Sequence, residues 1–400
     1  MANNGIHLRP AAVRDLCIRV TTGGTPSRRR IEYFDEGRIP WVKTQELTDR
    51  VLHETTEHIT EEALADSSAK LLPAGTVLVA MYGATAGHLG ILGRPMTCNQ
   101  ACCALVVDGT RTDARFLYYA LLAERPRLKS LANGAAQQNL SVGVVANLQL
   151  AMPPLREQRA IAEVLGALDD KIECNTLIAG LLERRLAELF TALSFDELKG
   201  DLVRLDELVE LNPVRAKPRA TVAPYIDMAA LPTESALVAV PNTRPPKSGA
   251  RFINGDTVMA RITPCLENGK TAYIDCLVEG EAGIGSTEFI VLRPRNDLPA
   301  KFAYFLARSP RFRDFAVRHM SGSSGRQRCP ADALARYEIC RPTSDALVKF
   351  AEQADPAFAR MRTGLDESLV LAQLRDTLLP RLLSGEMRVR DAEAAVEEVA

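Results

Sequence analysis

The chain predicts an α+β fold: two mixed α/β modules separated by two long antiparallel helices that form a coiled coil, with an internal pseudo-two-fold repeat. The repeat is the first observation behind this. Laying Pro153–Leu193 over Pro342–Leu382, a displacement of 189 residues, puts Ile161 on Phe350, Leu165 on Ala354, Ile172 on Met361, Leu182 on Leu371 and Leu189 on Leu378 without a gap. Upstream, with small gaps, Asp113–Tyr119 falls over Pro299–Phe305 and Gly75–Ala80 over Gly255–Ala260. Apolar meets apolar or small while most identities differ. Solenoid repeats run roughly 20–50 residues, so a period this long is a duplicated domain followed each time by a long helix. The second observation is a heptad seam after the first module. The third is the alternation of short strand-like runs with Gly/Pro turns inside each module.

In residues 1–152, the first module, an amphipathic stretch Ala11–Ile18 leads into the turn Gly23-Gly24-Thr25-Pro26. Strands are expected at Ile39–Val42, Thr76–Met81 and Ala101–Val107, and a helix at Asp113–Ala123. Residues 201–341 repeat the plan: Arg204–Leu211, the turn at Asn212-Pro213, strands Thr257–Arg261, Ala272–Cys276 and Phe289–Leu292, and helix Ala300–Ala307. Between them, in 153–200, the residues Ile161, Leu165, Leu168, Ile172, Asn175, Ala179, Leu182, Leu186, Leu189 and Leu193 alternate in steps of four and three. That is a coiled-coil seam over more than four heptads, with Asn175 as a polar register-setting position. The second copy, in 342–390, carries a weaker seam through Phe350, Ala354, Ala357, Met361, Gly364, Ser368, Leu371, Arg375, Leu378 and Leu382. Pro356 predicts a first turn or a kink, so each segment reads as a short helix followed by a longer one. The longer piece from Leu168 to Leu193 spans roughly 38 Å at 1.5 Å per residue, and Glu197-Leu198-Lys199 is expected to end it. An acidic tail, 391–400, closes the chain.

Composition narrows the function classes. Nine cysteines form no paired framework, and Cys98 with Cys102-Cys103 lacks zinc-ligand spacing, which suits free thiols in a reducing compartment and no metal. No window approaches the roughly 18 apolar residues that span a bilayer, so the expectation is a soluble, cytoplasmic protein. The net charge of −1 hides a partition. Residues 1–150 carry 16 Lys/Arg against 14 Asp/Glu and 201–340 carry 19 against 16, whereas 151–200 carry 6 against 9 and 341–400 carry 8 against 11. Slightly basic modules flank acidic helices, with local clusters at Arg28-Arg29-Arg30 and along Arg308–Arg328, the footprint that phosphate contacts need.

Catalytic motifs are missing one by one. There is no GxxxxGKS/T phosphate loop, and Gly283-Ile284-Gly285 lacks the third glycine of a dinucleotide fingerprint. His53-Glu54-Thr55-Thr56-Glu57-His58 is HExxxH, and on a helix the extra residue turns the second histidine about 100° away from a shared metal. Asn212-Pro213-Val214-Arg215 fails an amino-methyltransferase tetrapeptide at its third position, and Glu197-Leu198-Lys199 has no Pro-Asp partner for a nuclease triad.

Pro153-Pro154-Leu155-Arg156-Glu157-Gln158, running through Ile161-Ala162 to Leu168-Asp169-Asp170-Lys171-Ile172, resembles the central conserved region of type I restriction–modification specificity subunits. Leu374–Glu386 is similar to that family's C-terminal signature, Gly23–Ser27 with Ile39–Lys43 to the opening of its first target-recognition domain, and Gly285–Phe289 to a strand-opening motif of its second. The second helical copy departs, reading Arg341-Pro342-Thr343-Ser344-Asp345. The resemblance implies a subunit without catalysis, whose two target-recognition domains each read half of a split double-stranded DNA site. It implies helices that measure the unread spacer and dock two modification (methyltransferase) subunits. In a complex that also cleaves, two restriction (motor/nuclease) subunits join. No cofactor is expected on this chain; S-adenosylmethionine, and ATP with Mg, belong on the partners. A fused methyltransferase or nuclease, and a coiled-coil adaptor without DNA contact, are the competing readings.

Base reading needs bidentate side chains in loops, Arg or Lys for guanine and Asn or Gln for adenine. One polar loop recurs before each helical region: Asn133–Asn139, with Gln137, Gln138 and Asn139, and Ser321–Arg328, with Ser324, Arg326, Gln327 and Arg328. Arg28, Arg29, Arg30, Lys43 and Tyr82 join the first set, and Arg261 and Lys270 the second. For the helical spacer and docking surface the candidates are Glu157, Gln158, Ile161, Leu165, Leu168, Ile172, Leu182, Leu186, Leu189, Met361, Leu371 and Leu378.

Overall fold

A computed structural model describes residues 8–133, 139–195, 197–198, 200–216, 218, 220–295, 298–323 and 325–398. It has two compact units, Met1–Lys171 with Leu371–Ala400, and Ile172–Val370, so each long helix contributes to both.

The strands of the first unit are β1 (Arg9–Ala12), β2 (Cys17–Thr22), β3 (Ile39–Val42), β4 (Arg50–Leu52), β5 (His58–Ile59), β6 (Val77–Ala80), β7 (Leu89–Leu92), β8 (Thr97–Cys98), β9 (Cys102–Val107) and β10 (Gln149–Met152). Its helices are α1 (Glu61–Asp66), α2 (Ala114–Ala123), α3 (Arg125–Asn133), α4 (Val142–Asn147) and the start of α5 (Leu155–Ala192). The main sheet has the order β2-β9-β6-β7-β4; β5-β3-β8 and β1-β10 form smaller ones. Val77–Ala80 is buried throughout because it lies between β7 and β9. The Asp113 carboxylate accepts from Phe116 N at 3.0 Å and starts α2, whose inward face buries Phe116, Leu117, Tyr118 and Leu121. Trp41 donates its indole N–H to Gly24 O at 2.9 Å. A Cβ at Gly23 or Gly24 would collide with the backbone of Cys98 or Ser68, which is why this turn needs glycine.

The second unit repeats the plan with β11 (Leu202–Arg204), β12 (Val209–Leu211), β13 (Ala223–Ile226), β14 (Asn242–Arg244), β15 (Ala250–Phe252), β16 (Thr257–Ala260), β17 (Thr271–Tyr273), β18 (Gly283–Gly285), β19 (Phe289–Pro294) and β20 (Glu338–Cys340). Its helices are α6 (Leu205–Leu208), α7 (Phe302–Arg308), α8 (Pro310–Arg318), α9 (Ala331–Leu334) and most of α10 (Ser344–Ser384); α11 (Val389–Glu397) belongs to the first unit. The order β12-β19-β16-β17 matches β2-β9-β6-β7, β11-β20 matches β1-β10, and β13 runs parallel to β18 as β3 does to β8. The internal repeat is therefore topological as well as sequential.

In the second unit α5 and α10 pack antiparallel. There Asn175 meets Glu367, Ser368 and Arg360, while Phe190, farther along α5, lies edge-on to Phe350, earlier in α10. Phe190, Phe195, Phe302, Phe305 and Phe350 join in one aromatic core with centroid spacings of 5.0–6.1 Å. Each such pair contributes about 0.5–1.5 kcal/mol beyond area burial. In the first unit Arg375 reaches Asp169 at 2.6 Å and Arg115 forks onto Asp170 at 2.9 and 2.5 Å.

Three expectations are corrected. Neither long segment is a short helix followed by a longer one: α5 runs unbroken through Gly166 and α10 through Pro356. Pro356 and Glu352, the residue whose carbonyl the ring leaves without a donor, are both exposed. At Gly166 the nearest group a Cβ would meet is the movable Arg115 guanidinium on its way to Asp170. The first helix ends at Ala192 rather than at Glu197-Leu198-Lys199, because Ser194 turns left-handed (φ 56°) and Phe195 folds back into the aromatic core. Lys199 lies outside the described residues. Finally, His53–His58 is not helical, so helix geometry does not decide that stretch; His58 Nε2 instead lies 3.4 Å from Glu54.

Candidate nucleic-acid interface

Both modules hold a polar loop on the same scaffold. In the first, the chain returns at Asn139, which bridges Tyr82, and buried Leu140 donates its N–H to Met81 O at 2.8 Å. In the second it returns at Arg328, which bridges Ile262, and buried Cys329 donates to Arg261 O at 2.8 Å. Because β6 and β16 are equivalent, Met81 and Arg261 are equivalent positions just past the strand end. At the return of each loop, one matching backbone hydrogen bond and one buried side chain stand at equivalent places. Gln137, Gln138 and Ser324 lie outside the described residues.

In the first module Tyr82 presents a ring that is 42% exposed beside the loop's return. Arg28 and Lys43 converge on one carboxylate, each 2.6 Å from Glu57, and the Arg28 guanidinium covers Phe34 and Trp41 at 4.3 and 4.9 Å. Arg28 first, then Lys43, hold the Glu57 carboxyl below its ordinary pKa. Arg29 is exposed and makes no ion pair among the described residues. Arg30 lies apart from that pair: it stacks on Tyr33 and is ringed by Glu32, Glu62 and Asp66 at 2.9, 2.7 and 3.4 Å, so its charge is already neutralised locally.

In the second module Arg326 is exposed, and Gln327 is half-buried with its carbonyl accepting from Thr263 N at 3.1 Å. Arg328 forks onto Glu288 at 2.7–3.0 Å and holds that carboxyl below its usual range. Lys270 is turned inward, donating to Met228 O at 2.7 Å. Arg261 faces a pocket of about 410 Å³ that it shares with Arg215 and Arg251. Sequence reasoning missed those two arginines. Arg215 belongs to the tetrapeptide that fails as a methyltransferase motif, and nothing local in the chain pairs it with Arg251.

The helical candidates are mostly internal. Ile161, Leu165, Leu168, Leu186, Met361, Leu371 and Leu378 are buried, while Ile172, Leu182 and Leu189 are half-buried. Gln158, 2% exposed, accepts from Thr112 Oγ1 at 2.7 Å and Asp113 N at 3.1 Å and donates to Pro153 O at 2.9 Å. Its amide oxygen ties α5 to the start of α2, and its amide nitrogen ties back to the segment that leads into α5. Glu157 stays half-exposed at the helix start. Outward, α5 exposes Leu177 and Leu181 at about 60%. No helix among the described residues is long and apolar enough to cross a membrane.

A family model described as the type I restriction modification DNA specificity domain matches residues 11–184. The MjaIX type I specificity subunit of Methanocaldococcus jannaschii is 25% identical over 93% of this chain and 92% of its own length. The EcoAI type I specificity subunit of Escherichia coli is 40% identical over 85 residues, which are 21% of this chain and 14% of that protein. The crystal structure of a type I restriction–modification S subunit from M. genitalium superposes with a TM-score of 0.59 at 16% identity, over 96% of this chain and 97% of that one. At that identity the likeness establishes the fold.

Proposed function

We infer that this chain, which belongs to the family of type I restriction–modification specificity subunits, is the non-catalytic DNA-reading subunit of such a complex. Each module, residues 1–152 and 201–341, reads one half of a bipartite duplex site. The paired helices, 153–200 and 342–390, set the unread spacer and dock two modification subunits. S-adenosylmethionine, and ATP with Mg where restriction subunits join, reside on those partners. The supporting observation is the loop scaffold. Met81 and Arg261 receive the same backbone hydrogen bond from Leu140 and Cys329, so two loops of different polar content stand on one frame. A shared frame with different side chains is what two different half-sites require, since base edges are read by side chains while phosphate contacts position them.

The test is methylation mapping of the host genome with and without the chain, then with residues 1–152 exchanged for another family member's first module. One half-site should change and the other persist. If both halves changed together, or the purified chain alone transferred methyl groups to DNA, the reading would be wrong.

A further inference from the structure

The second module holds a built oxyanion pocket. We propose that Arg215, Arg251 and Arg261 form a binding site for one phosphate group, and that the group is a backbone phosphodiester of the bound duplex. The three side chains come from separate elements: Arg215 follows the turn after β12, Arg251 lies on β15, and Arg261 lies just past the end of β16. All line one pocket of about 410 Å³, together with the exposed Thr287. That volume admits a phosphate with its neighbouring sugar atoms.

The local charge is unbalanced. Asp256 is shared by Arg215 at 3.3 Å and Arg293 at 2.6 Å, and Glu288 is held by Arg328 at 2.7 Å. With Arg251 and Arg261, five guanidiniums face two carboxylates, a local excess of three positive charges. The Arg251 guanidinium donates only to the Arg215 carbonyl among described groups. The Nε atoms of Arg215 and Arg261 are buried without a hydrogen-bond partner among the described residues. Buried unpaired donors in a positively charged recess are satisfied by an acceptor-rich anion, and guanidinium forks match phosphate geometry. The pocket adjoins the polar loop, because Arg261 O receives Cys329 N at the point where that loop returns. In the first module the position of Arg261 is taken by Met81, so this grip belongs to one half of the chain.

The identity of the phosphate as DNA rests on the function proposed above; the pocket does not. The experiment uses the full chain, its Arg251→Gln, Arg261→Gln and double variants, and Arg390→Gln, which removes the same charge from the C-terminal helix. Duplex carrying the genome-mapped site is titrated at roughly 50–300 mM KCl, the range over which counterion release dominates the affinity. In parallel, the thermal midpoint is followed against inorganic phosphate at constant ionic strength. The slope of log affinity against log salt should fall by about one unit when this one phosphate grip is lost, with both half-site preferences kept. Phosphate should raise the midpoint of wild type and Arg390→Gln but not of the double variant, whose midpoint in chloride alone reports its folding. An unchanged slope in variants of a DNA-binding chain overturns the proposal. Wild type that ignores duplex but responds to phosphate through these arginines would keep the pocket, assign it a free phosphorylated ligand, and defeat the DNA reading. Response to neither would remove both.

Discussion

Asn175 of α5 donates to Glu367 of α10 at 2.8 Å and accepts from Arg360 at 3.2 Å, in the middle of the otherwise mostly apolar seam. The residue is 4% exposed, so its amide must find partners within the helix pair, and only one antiparallel register supplies both. Asn175→Ala should therefore cost about 1–3 kcal/mol in urea unfolding, the desolvation left on the stranded partners. A loss within experimental error would mean that the seam sets register by shape alone.

Gln158→Leu tests the clamp at the head of α5. The substitution keeps bulk but strands Thr112 Oγ1 and Asp113 N, and should destabilise by about 1–3 kcal/mol. Adding Thr112→Val removes one stranded donor and should recover part of that loss. If the double variant were simply the sum of the singles, the two side chains would not be coupled.

The pH dependence of the second unit follows from Glu183. Burial pushes its carboxyl above the ordinary value, while Tyr304, which donates to it, and Arg308, 3.8 Å away, pull it back. A folded pKa above the unfolded one means that the folded state holds the proton more tightly. Glu183 therefore adds stability below the unfolded pKa and loses it as pH rises through the folded one. Glu183→Gln keeps an acceptor for Tyr304 without the charge. Its thermal midpoint should fall less between the mildly acidic range and about pH 8 than that of wild type. Parallel curves would remove Glu183 from the titration.

The reading loops give a specificity prediction. Arg326→Ala, Gln327→Ala and Gln138→Ala should each weaken binding of the mapped site. Removing a base-reading side chain should cost on the order of 1–3 kcal/mol and relax one position of the methylation motif. Removing a phosphate-binding one should weaken binding without relaxing the motif, and mainly flatten the salt dependence. If all three variants kept both affinity and motif, the loops would stand outside the interface.

For the spacer, matched seven-residue insertions into α5 and α10 keep the seam in phase and lengthen each helix by roughly 10 Å, about three base pairs. The unread spacer should grow by a few base pairs while both half-sites persist. A two-residue insertion rotates the seam by about 200° and should abolish assembly by exposing Leu182, Leu186 and Leu189. An active heptad variant with an unchanged spacer would show that these helices do not measure DNA.

Much of the architecture is legible in the chain itself. The duplication, the strand runs at Ile39–Val42, Val77–Ala80 and Thr257–Ala260, and the heptad steps from Ile161 onward are local patterns. Period and turn residues write them directly into the sequence. The two polar loops are visible for the same reason, as matching insertions in matching places. Which partner neutralises each charge is not. Arg30 meets Glu62 and Asp66, and Arg328 meets Glu288, 40 residues away in sequence. Arg215, Arg251 and Arg261 share a pocket only because two separate sheets, one holding β12 and β16 and the other β15, meet in the fold. Pro356 sits inside a helix, at a place where it and Glu352 are both exposed. Periodicity is a property of neighbours along the chain, so sequence determines it. Ion pairing, burial and pocket walls are properties of neighbours in space, and strand register and helix packing decide those.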